Sequence, residues 1–226
     1  MLIPVLLLSL LVSPAQEVEE KLTTYQLVLL KKGPKAEPGE AAGKNMQDAH
    51  LANLATLYRK RVALAYGPLQ ADDIAGIAIL DVPSTEAAKR AFDPDPYIKA
   101  GVMTAEVHPI KAARDWFHRA ETQQLDHPDR KDVEPLVFGL YEKGPTAADE
   151  TTTERLHEQY MAGLRGLGKV LAEGPIEGDP TLREYIVIRA ADPGEAMTLV
   201  ASDPAVKSRE RTLRTHGWTT FKGIFK

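Results

Sequence analysis

Two histidines at corresponding places on predicted helices are the residues best suited to acid–base chemistry in this sequence. His50 shares an apolar helical stripe with Leu54 and Leu57, and His157 stands beside Tyr160 near the edge of a similar stripe. An imidazole on such a stripe would be partly desolvated, and a neighbouring carboxylate would fix its tautomer. That arrangement suits a general base acting on an acidic C–H or O–H group near neutral pH.

Five aspartates are candidates for the carboxylate that would orient these histidines. They are Asp72, Asp73 and Asp95 for His50, and Asp179 and Asp203 for His157. Two other interpretations stay open. In the first, each histidine is a structural residue at the edge of the core that bonds only a backbone carbonyl. In the second, Asp95 and Asp203, which precede proline, are turn or capping residues. The recurrence does not decide between them, because a duplication copies structural and catalytic residues equally well.

Six further residues are candidates for contact with a small substrate. They are Tyr66, Gly67, Pro68, Tyr97, Gly174 and Pro175. The tyrosines suit stacking on a small ring or hydrogen bonding to it, with packing in the core as the alternative. The glycines permit either a tight turn at the end of a strand or the approach of a ligand to the backbone.

The composition excludes several classes of site. The chain of 226 residues has no cysteine, which rules out thiolate metal sites, cysteine nucleophiles and disulfides. His108 and His216 occupy matching positions, but no His-x-x-x-His or His-Glu-x-x-His spacing occurs, so we expect no metal and no other cofactor. The net charge of −4, without basic runs or a Gly-rich phosphate loop, predicts no nucleic-acid partner.

Most of the chain is present in two copies. At an offset of 107 (174 − 67), Gly67-Pro68 matches Gly174-Pro175 and His50 matches His157. At an offset of 108 (203 − 95), Asp95-Pro96 matches Asp203-Pro204 and His108 matches His216. Self-similarity at a nearly constant offset indicates two copies of a single structural unit.

Each copy has the predicted element order strand, helix, strand, strand, helix, strand. The elements are residues 23–30, 45–59, 62–65, 74–82, 84–92 and 102–110 in the first copy, and 136–141, 151–167, 169–172, 184–189, 193–201 and 209–216 in the second. Gly67-Pro68 is expected to end the second strand and Ser84 to cap the second helix. Residues 111–132 are expected to form a helix and a loop, and residues 218–225 an additional strand or extension.

This order predicts an α+β fold. Two tandem ferredoxin-like (βαββαβ) units, residues 23–110 and 135–226 with a linker at 111–134, would pack sheet to sheet as an intrachain α+β barrel. Each unit leaves one sheet face without helices, and the other unit can cover it. The chain would be a monomer with a pseudo-dimeric core, or a homodimer if the last strand adds to a neighbouring sheet.

Residues 1–16 are predicted to be a signal peptide. The apolar run from Leu2 to Val12 is too short to span a bilayer, and Ser13 and Ala15 suit cleavage by a signal peptidase. The protein is then expected to be exported, periplasmic or secreted, without stable membrane insertion after signal removal. If this segment is instead a buried strand or helix, a cytoplasmic location is expected.

Each unit resembles the YCII-related domain of the dimeric α+β barrel superfamily. The residues that carry the resemblance are His50-Leu51 with Leu54, Gly67-Pro68, and Asp95-Pro96-Tyr97 with Ala100-Gly101. The second unit keeps His157, Gly174-Pro175 and Asp203-Pro204. It has Ala205 in place of the tyrosine, which puts a second working site in doubt.

The resemblance implies a His–Asp pair in a pocket. Some relatives perform cofactor-free dehydrochlorination or lactone isomerisation on small cyclic compounds. Some barrels of the superfamily hold heme, but no residue here is singled out as an axial ligand. We therefore expect a His/Asp general acid–base enzyme of isomerase or lyase type acting on a small-molecule ligand. The alternative is a non-catalytic small-ligand binding or assembly module with the same fold.

Overall fold

The computed structural model describes residues 22–36, 38–118, 132–146 and 150–225, and most of them form two similar halves. The strands are β1 (Leu22–Lys32), β2 (Ala63–Gln70), β3 (Ile74–Leu80), β4 (Met103–Ala113), β5 (Val133–Lys143), β6 (Val170–Pro175), β7 (Leu182–Ile188) and β8 (Arg211–Phe221). The helices are α1 (Glu40–Arg59), α2 (Thr85–Phe92), α3 (Pro96–Ala100), α4 (Glu150–Gly166), α5 (Pro193–Val200) and α6 (Pro204–Lys207). The βαββαβ order recurs in both halves, with one short helix added before the last strand of each.

The first strand of each unit is buried on both faces. Residues 25–30 of β1 and 136–141 of β5 are all buried. Each of these strands lies inside its sheet, covered by helices on one side and by the opposing sheet on the other. This position explains why their sequences are nearly continuous apolar runs, whereas a half-exposed strand would alternate.

The short helices α3 and α6 begin directly after the two aspartates that precede proline. Asp95 and Asp203 each accept a hydrogen bond from the backbone N–H two residues further on, at 3.0 Å. Proline occupies the first helical position in both, where its missing N–H has no cost. The predicted cap of α2 is also confirmed, since Ser84 Oγ accepts the Ala87 N–H at 3.2 Å.

The two sheets join edge to edge into one eight-stranded antiparallel sheet that is nearly closed into a barrel. The strand order is β4-β1-β3-β2-β8-β5-β7-β6. At the β2–β8 seam, Leu69 pairs with Trp218 and Gln70 with Gly217. At the β4–β6 seam, an Ile110–Ile176 bridge brings the two outer strands together. The predicted α+β barrel within one chain is therefore confirmed.

Several predicted boundaries are wrong because strands run further than their local sequence indicates. Lys111–Ala113 continue β4 and Arg114–Trp116 form a 3-10 turn, where a linker helix was expected. Trp218–Phe221 continue β8, so of the two predicted alternatives the extension is found and the separate strand is not. Residues 119–131 and the predicted signal peptide at 1–16 lie outside the described residues. None of the described helices is long and apolar enough to cross a membrane.

Gly67 and Gly174 lie at the seams, where they permit close approach of two strands, and they do not form turns. The expectation that Gly67-Pro68 ends β2 is wrong, since the strand continues to Gln70. A Cβ on Gly67 would overlap the carbonyl oxygen of Thr219 in β8, and a Cβ on Gly174 would overlap that of Lys111 in β4. A residue without a side chain is needed where the backbones of the two units come this close.

Replacement of Gly67 by alanine is expected to lower the free energy of unfolding by roughly 1–3 kcal/mol, because the seam must open to admit the methyl group. Gly163→Ala is the matched control, since Gly163 lies on α4 with no atom within 4 Å of an added Cβ. That change should stabilise the protein by about 0.5–1 kcal/mol through helix propensity. Urea unfolding measures both, and a Gly67→Ala variant as stable as Gly163→Ala would contradict this account of the seam.

Candidate active site

The first unit holds a buried His–Asp pair formed by α1 and the cap of α3. His50 Nδ1 lies 2.6 Å from Asp95 Oδ2, and both side chains are buried. Asn53 Nδ2 donates to the same carboxylate oxygen at 3.3 Å. The Tyr97 ring meets the imidazole edge-on at a centroid distance of 5.3 Å, and its hydroxyl donates to Gln47 Oε1 at 3.1 Å. The imidazole is thus held by a carboxylate and an aromatic ring.

The contact with Asp95 defines the tautomer of His50. A carboxylate only accepts hydrogen bonds, so the proton of a neutral His50 lies on Nδ1 and the lone pair lies on Nε2. Nε2 has no hydrogen-bond partner among the described residues. Asp95 uses one oxygen to cap α3 and the other to hold the imidazole. It therefore combines the capping role and the orienting role that the sequence presented as alternatives.

The second unit repeats this pair but engages both nitrogens of its histidine. His157 Nδ1 lies 2.9 Å from Asp203 Oδ2, and Nε2 lies 2.9 Å from Glu184 Oε2. The Tyr141 hydroxyl donates to Asp203 at 3.1 Å, and Arg211 lies 2.9 Å from Glu184. With a carboxylate on each side, the imidazole donates both N–H groups and is held in its charged form.

The ionisation of this network follows from its contacts. Burial alone would lower the pKa of His157, but the hydrogen bonds to Asp203 and Glu184 outweigh it and raise the pKa to about 9. Burial also opposes ionisation of Glu184, yet His157 and Arg211 hold the pKa of this carboxyl below its usual value. Burial and the charge of Asp203 raise the pKa of Tyr141, so it stays a neutral donor. The second site is a satisfied ion-pair network.

The two sites differ at four corresponding positions. The residues of the first unit and their counterparts in the second are Leu30 and Tyr141, Gly76 and Glu184, Met103 and Arg211, and Tyr97 and Ala205. The tyrosine lost at Ala205 is replaced from β5, because the Tyr141 ring meets His157 edge-on at the same 5.3 Å centroid distance. Sequence reasoning missed Glu184, Tyr141 and Arg211. The only available signal was an acidic residue, Glu184, next to the apolar run of β7.

The remaining candidate aspartates do not contact the helical histidines. Asp72 is exposed. Asp73 lies 3.1 Å from Arg214 of β8, and Asp179 lies 3.6 Å from His108 of β4. The hairpins β2–β3 and β6–β7 that carry these residues extend toward the last strand of the other unit. The hypothesis that Asp72 or Asp73 orients His50, and Asp179 His157, is therefore not supported.

An ion pair between the first and last strands of a unit occurs in both units, with its charges exchanged. Lys31 pairs with Glu106 at 2.7 Å in the first unit, whereas Glu142 pairs with Arg214 at 3.1 Å in the second. Glu106 also accepts from His108 at 2.9 Å. Despite partial desolvation, the Lys31 and His108 contacts keep the pKa of Glu106 below its usual range. His108 and Arg214 also contact Asp179 and Asp73 of the opposite unit, so these groups link the two sheets at the seams. Among the described residues, no three His, Asp or Glu side chains converge as ligands for a metal ion.

The candidate substrate-contact residues separate into two groups. Tyr66 packs edge-on against Phe221 at 5.1 Å and against Tyr58 at 6.1 Å, and its burial raises the pKa of its hydroxyl. Tyr66, Gly67 and Pro68 thus belong to the core and seam of the first unit. Tyr97 lies against His50. Gly174 and Pro175 line a cavity of about 550 Å³ in the second unit, together with His157 and Glu184.

Comparison with models of protein families assigns a family resemblance to the first unit. Residues 24–116 match the model of the YCII-related domain. No curated protein matches the sequence.

Solved structures with similar folds cover nearly the whole chain. A heme-binding protein from Thermus thermophilus aligns at 11% identity with a TM-score of 0.52, over 89% of this chain and 94% of that one. A candidate monooxygenase from Fusobacterium nucleatum aligns at 9% identity with a TM-score of 0.54, over 90% and 94%. A candidate chlorite dismutase aligns at 8% identity with a TM-score of 0.55, over 87% and 94%. At such identities the likeness establishes the α+β barrel fold alone.

Stability is expected to fall as the pH rises from about 6.5 to about 9, because His157 keeps its proton in the folded protein after the unfolded chain has lost it. The contribution is complete below the unfolded pKa and lost above the folded one. The shift corresponds to roughly 3 kcal/mol. Urea unfolding at pH 6.5 and 9 measures it. The decline should disappear in His157→Gln and persist in His50→Gln; an equal decline in all three proteins would refute the assignment.

Proposed function

We propose that the first unit of this chain, which is a YCII-related domain as its motifs implied, is a cofactor-independent general acid–base site acting on a small cyclic or enolisable substrate. The supporting observation is the 2.6 Å contact between His50 Nδ1 and Asp95, which leaves Nε2 as a free acceptor among the described residues. A histidine oriented through one nitrogen is ready to take a proton through the other.

Each residue of the pair has a defined part in the proposed reaction. His50 Nε2 removes a proton from an acidic C–H or O–H group of the substrate and returns it to another atom or to the leaving group. Asp95 keeps the Nδ1 proton in place and stabilises the imidazolium that forms, while itself remaining ionised. The Tyr97 N–H and the Asn53 amide occupy further acceptor positions of the carboxylate, so that it stays turned toward His50.

The second unit is not proposed as a second base. His157 donates to Asp203 and to Glu184, so neither nitrogen offers a lone pair. An imidazole with a pKa of about 9 is also protonated at neutral pH. In the first unit Gly76 stands where Glu184 stands in the second, and it has no side chain that could occupy Nε2 of His50. The same scaffold thus supports a reactive histidine in one unit and a structural one in the other.

The residues of the second-unit cavity do not suit heme, although one structural neighbour is described as heme-binding. An axial ligand needs a free lone pair directed at the iron. His157 is the only histidine among the described lining residues, and carboxylates engage both of its nitrogens. The described lining also contains no Met, Tyr or Cys. The proposed reaction therefore includes no step that involves heme.

Turnover of small lactones and hydroxylated aromatic compounds by purified protein tests the proposal. His50→Gln is expected to lower kcat by about 10²- to 10⁴-fold, the usual loss when a general base is removed. His157→Gln is the matched control and should leave kcat within about threefold of the wild type wherever it folds. Equal loss in both variants, or unchanged kcat in His50→Gln, would exclude His50 as the base.

Asp95→Asn separates the orienting role of Asp95 from its capping role. Asparagine is an equally good helix cap, so the fold should persist. An amide can donate as well as accept, so the preference for the Nδ1–H tautomer should be lost and kcat should fall. Imidazole ¹⁵N chemical shifts report the tautomer without any substrate. If neutral His50 in the wild-type protein carries its proton on Nε2, the proposed function fails.

A further inference from the structure

The cavity of the second unit is separate from the His50 site. It has a volume of about 550 Å³, within the usual range for small-molecule sites. It lies between α4 and the strands β6 and β7, and Trp116 from the turn after β4 forms part of its wall. His157 and Glu184 line it, but their hydrogen bonds are satisfied within the protein.

The cavity exists because three aromatic residues that pack together beside β2 have smaller or charged counterparts beside β6. Tyr58 and Tyr66 of the first unit pack with Phe221, which β8 of the second unit contributes across the seam, and the Tyr58 and Phe221 ring centroids are 5.4 Å apart. Tyr58 corresponds to Arg165, since each lies eight residues after its helical histidine. Tyr66 corresponds to Glu173 and Phe221 to Ala113 by strand register. The place of an aromatic cluster is thus taken by an ion pair and a methyl group.

Glu173 supplies the chemistry of this cavity. One of its oxygens, Oε1, pairs with Arg165, whose guanidinium also lies 6.0 Å from the centre of the Trp116 ring. The other oxygen, Oε2, is buried and has no hydrogen-bond partner among the described residues. A buried carboxylate oxygen without a donor is costly. The Glu173 side chain lines the cavity and is 12% exposed, so a small turn of its carboxylate would present Oε2 to a ligand that supplies an N–H donor.

The other groups in the cavity select against anions. Both N–H groups of His157 are used by carboxylates, and Arg165 is used by Glu173. The other cation of the described lining, Arg155, is exposed, so no described buried cation is left for a ligand carboxylate or phosphate. The apolar part of the wall, which includes Trp116, Ala162 and Pro175, suits a small hydrocarbon or aromatic body.

We propose that this cavity is a binding site for a small primary amine with an apolar body, whose ammonium group donates to Glu173 Oε2 and whose body packs against Trp116 and Pro175. The site does not depend on the acid–base role of His50. It gives the second unit a ligand-binding function of its own, in place of the proton-transfer chemistry that its histidine cannot perform.

Titration of the protein with benzylamine tests the site, with benzoate and benzyl alcohol as the anionic and neutral counterparts. The readout is the indole N–H resonance of Trp116 in ¹H–¹⁵N NMR spectra, assigned with Trp116→Phe. Benzylamine should shift this resonance saturably and bind at least tenfold more tightly than benzoate. Glu173→Gln should weaken benzylamine about tenfold, since a charge-assisted hydrogen bond becomes an ordinary one.

Two variants of the cavity lining and one variant at the His50 site serve as controls for the benzylamine titration. Ala162→Trp places a bulky ring at an exposed helical position of the cavity wall and should abolish binding. Glu158→Gln removes the same charge as Glu173→Gln from an exposed lining residue and should weaken binding no more than about twofold. His50→Gln should leave binding unchanged, so failure of the proposed catalytic site and failure of the amine site are distinguishable. No saturable shift with benzylamine, equal affinity for benzoate, or full binding by Ala162→Trp would each overturn the proposal.

Discussion

Mutual burial of two sheet faces is the constraint on which the rest of this structure depends. Each ferredoxin-like unit covers one face of its sheet with its own helices and leaves the other to be covered. The β2–β8 and β4–β6 seams bring these faces together and place Leu136 and Trp218 in one apolar core with residues of the first unit. The seams require backbone contact, which explains glycine at 67 and 174. They also draw the hairpin aspartates away from the helical histidines and toward the opposite unit.

The barrel is held together at the seams. Charged residues on the helix side of each sheet can therefore differ between the two units without opening the barrel. The ion pairs between the first and last strands of each unit keep their positions with the charges exchanged: Lys31 pairs with Glu106, and Glu142 pairs with Arg214. The histidine sites have diverged in a different way. Glu184 and Arg211 convert the second site into a closed network of alternating charges, in which each buried ion has a partner of opposite sign. Among the residues that the structure describes, the first site has only Asp95 as a carboxylate, and its histidine keeps a nitrogen without a partner. An imidazole with one carboxylate is oriented for reaction, whereas an imidazole with two is fixed as a cation.

The same divergence accounts for the position of the cavity. An aromatic cluster fills the space beside β2 in the first unit, while an ion pair leaves the corresponding space open beside β6 in the second. In our proposals, the unit whose histidine has no free nitrogen is the one whose side chains leave room for a ligand. Two units of one fold can differ in this way, since one unit can have other pocket residues while both cover each other's sheet.

The sequence by itself determined the parts of this protein that depend on local pattern. Its internal repeat and the periodicity of its apolar residues predicted two βαββαβ units, the barrel formed by their sheets, and a histidine facing the sheet from each long helix. The capping position of Asp95 also followed from the proline next to it. Only the tertiary structure decided which side chains meet. His50 and Asp95 are 45 residues apart, and His157 reaches Glu184 across 27. Such contacts depend on strand register and on the packing of helices against the sheet, and the spacing of residues along the chain specifies neither. For the same reason Asp73 and Asp179, equally plausible by sequence, lie at the seams and not beside the histidines.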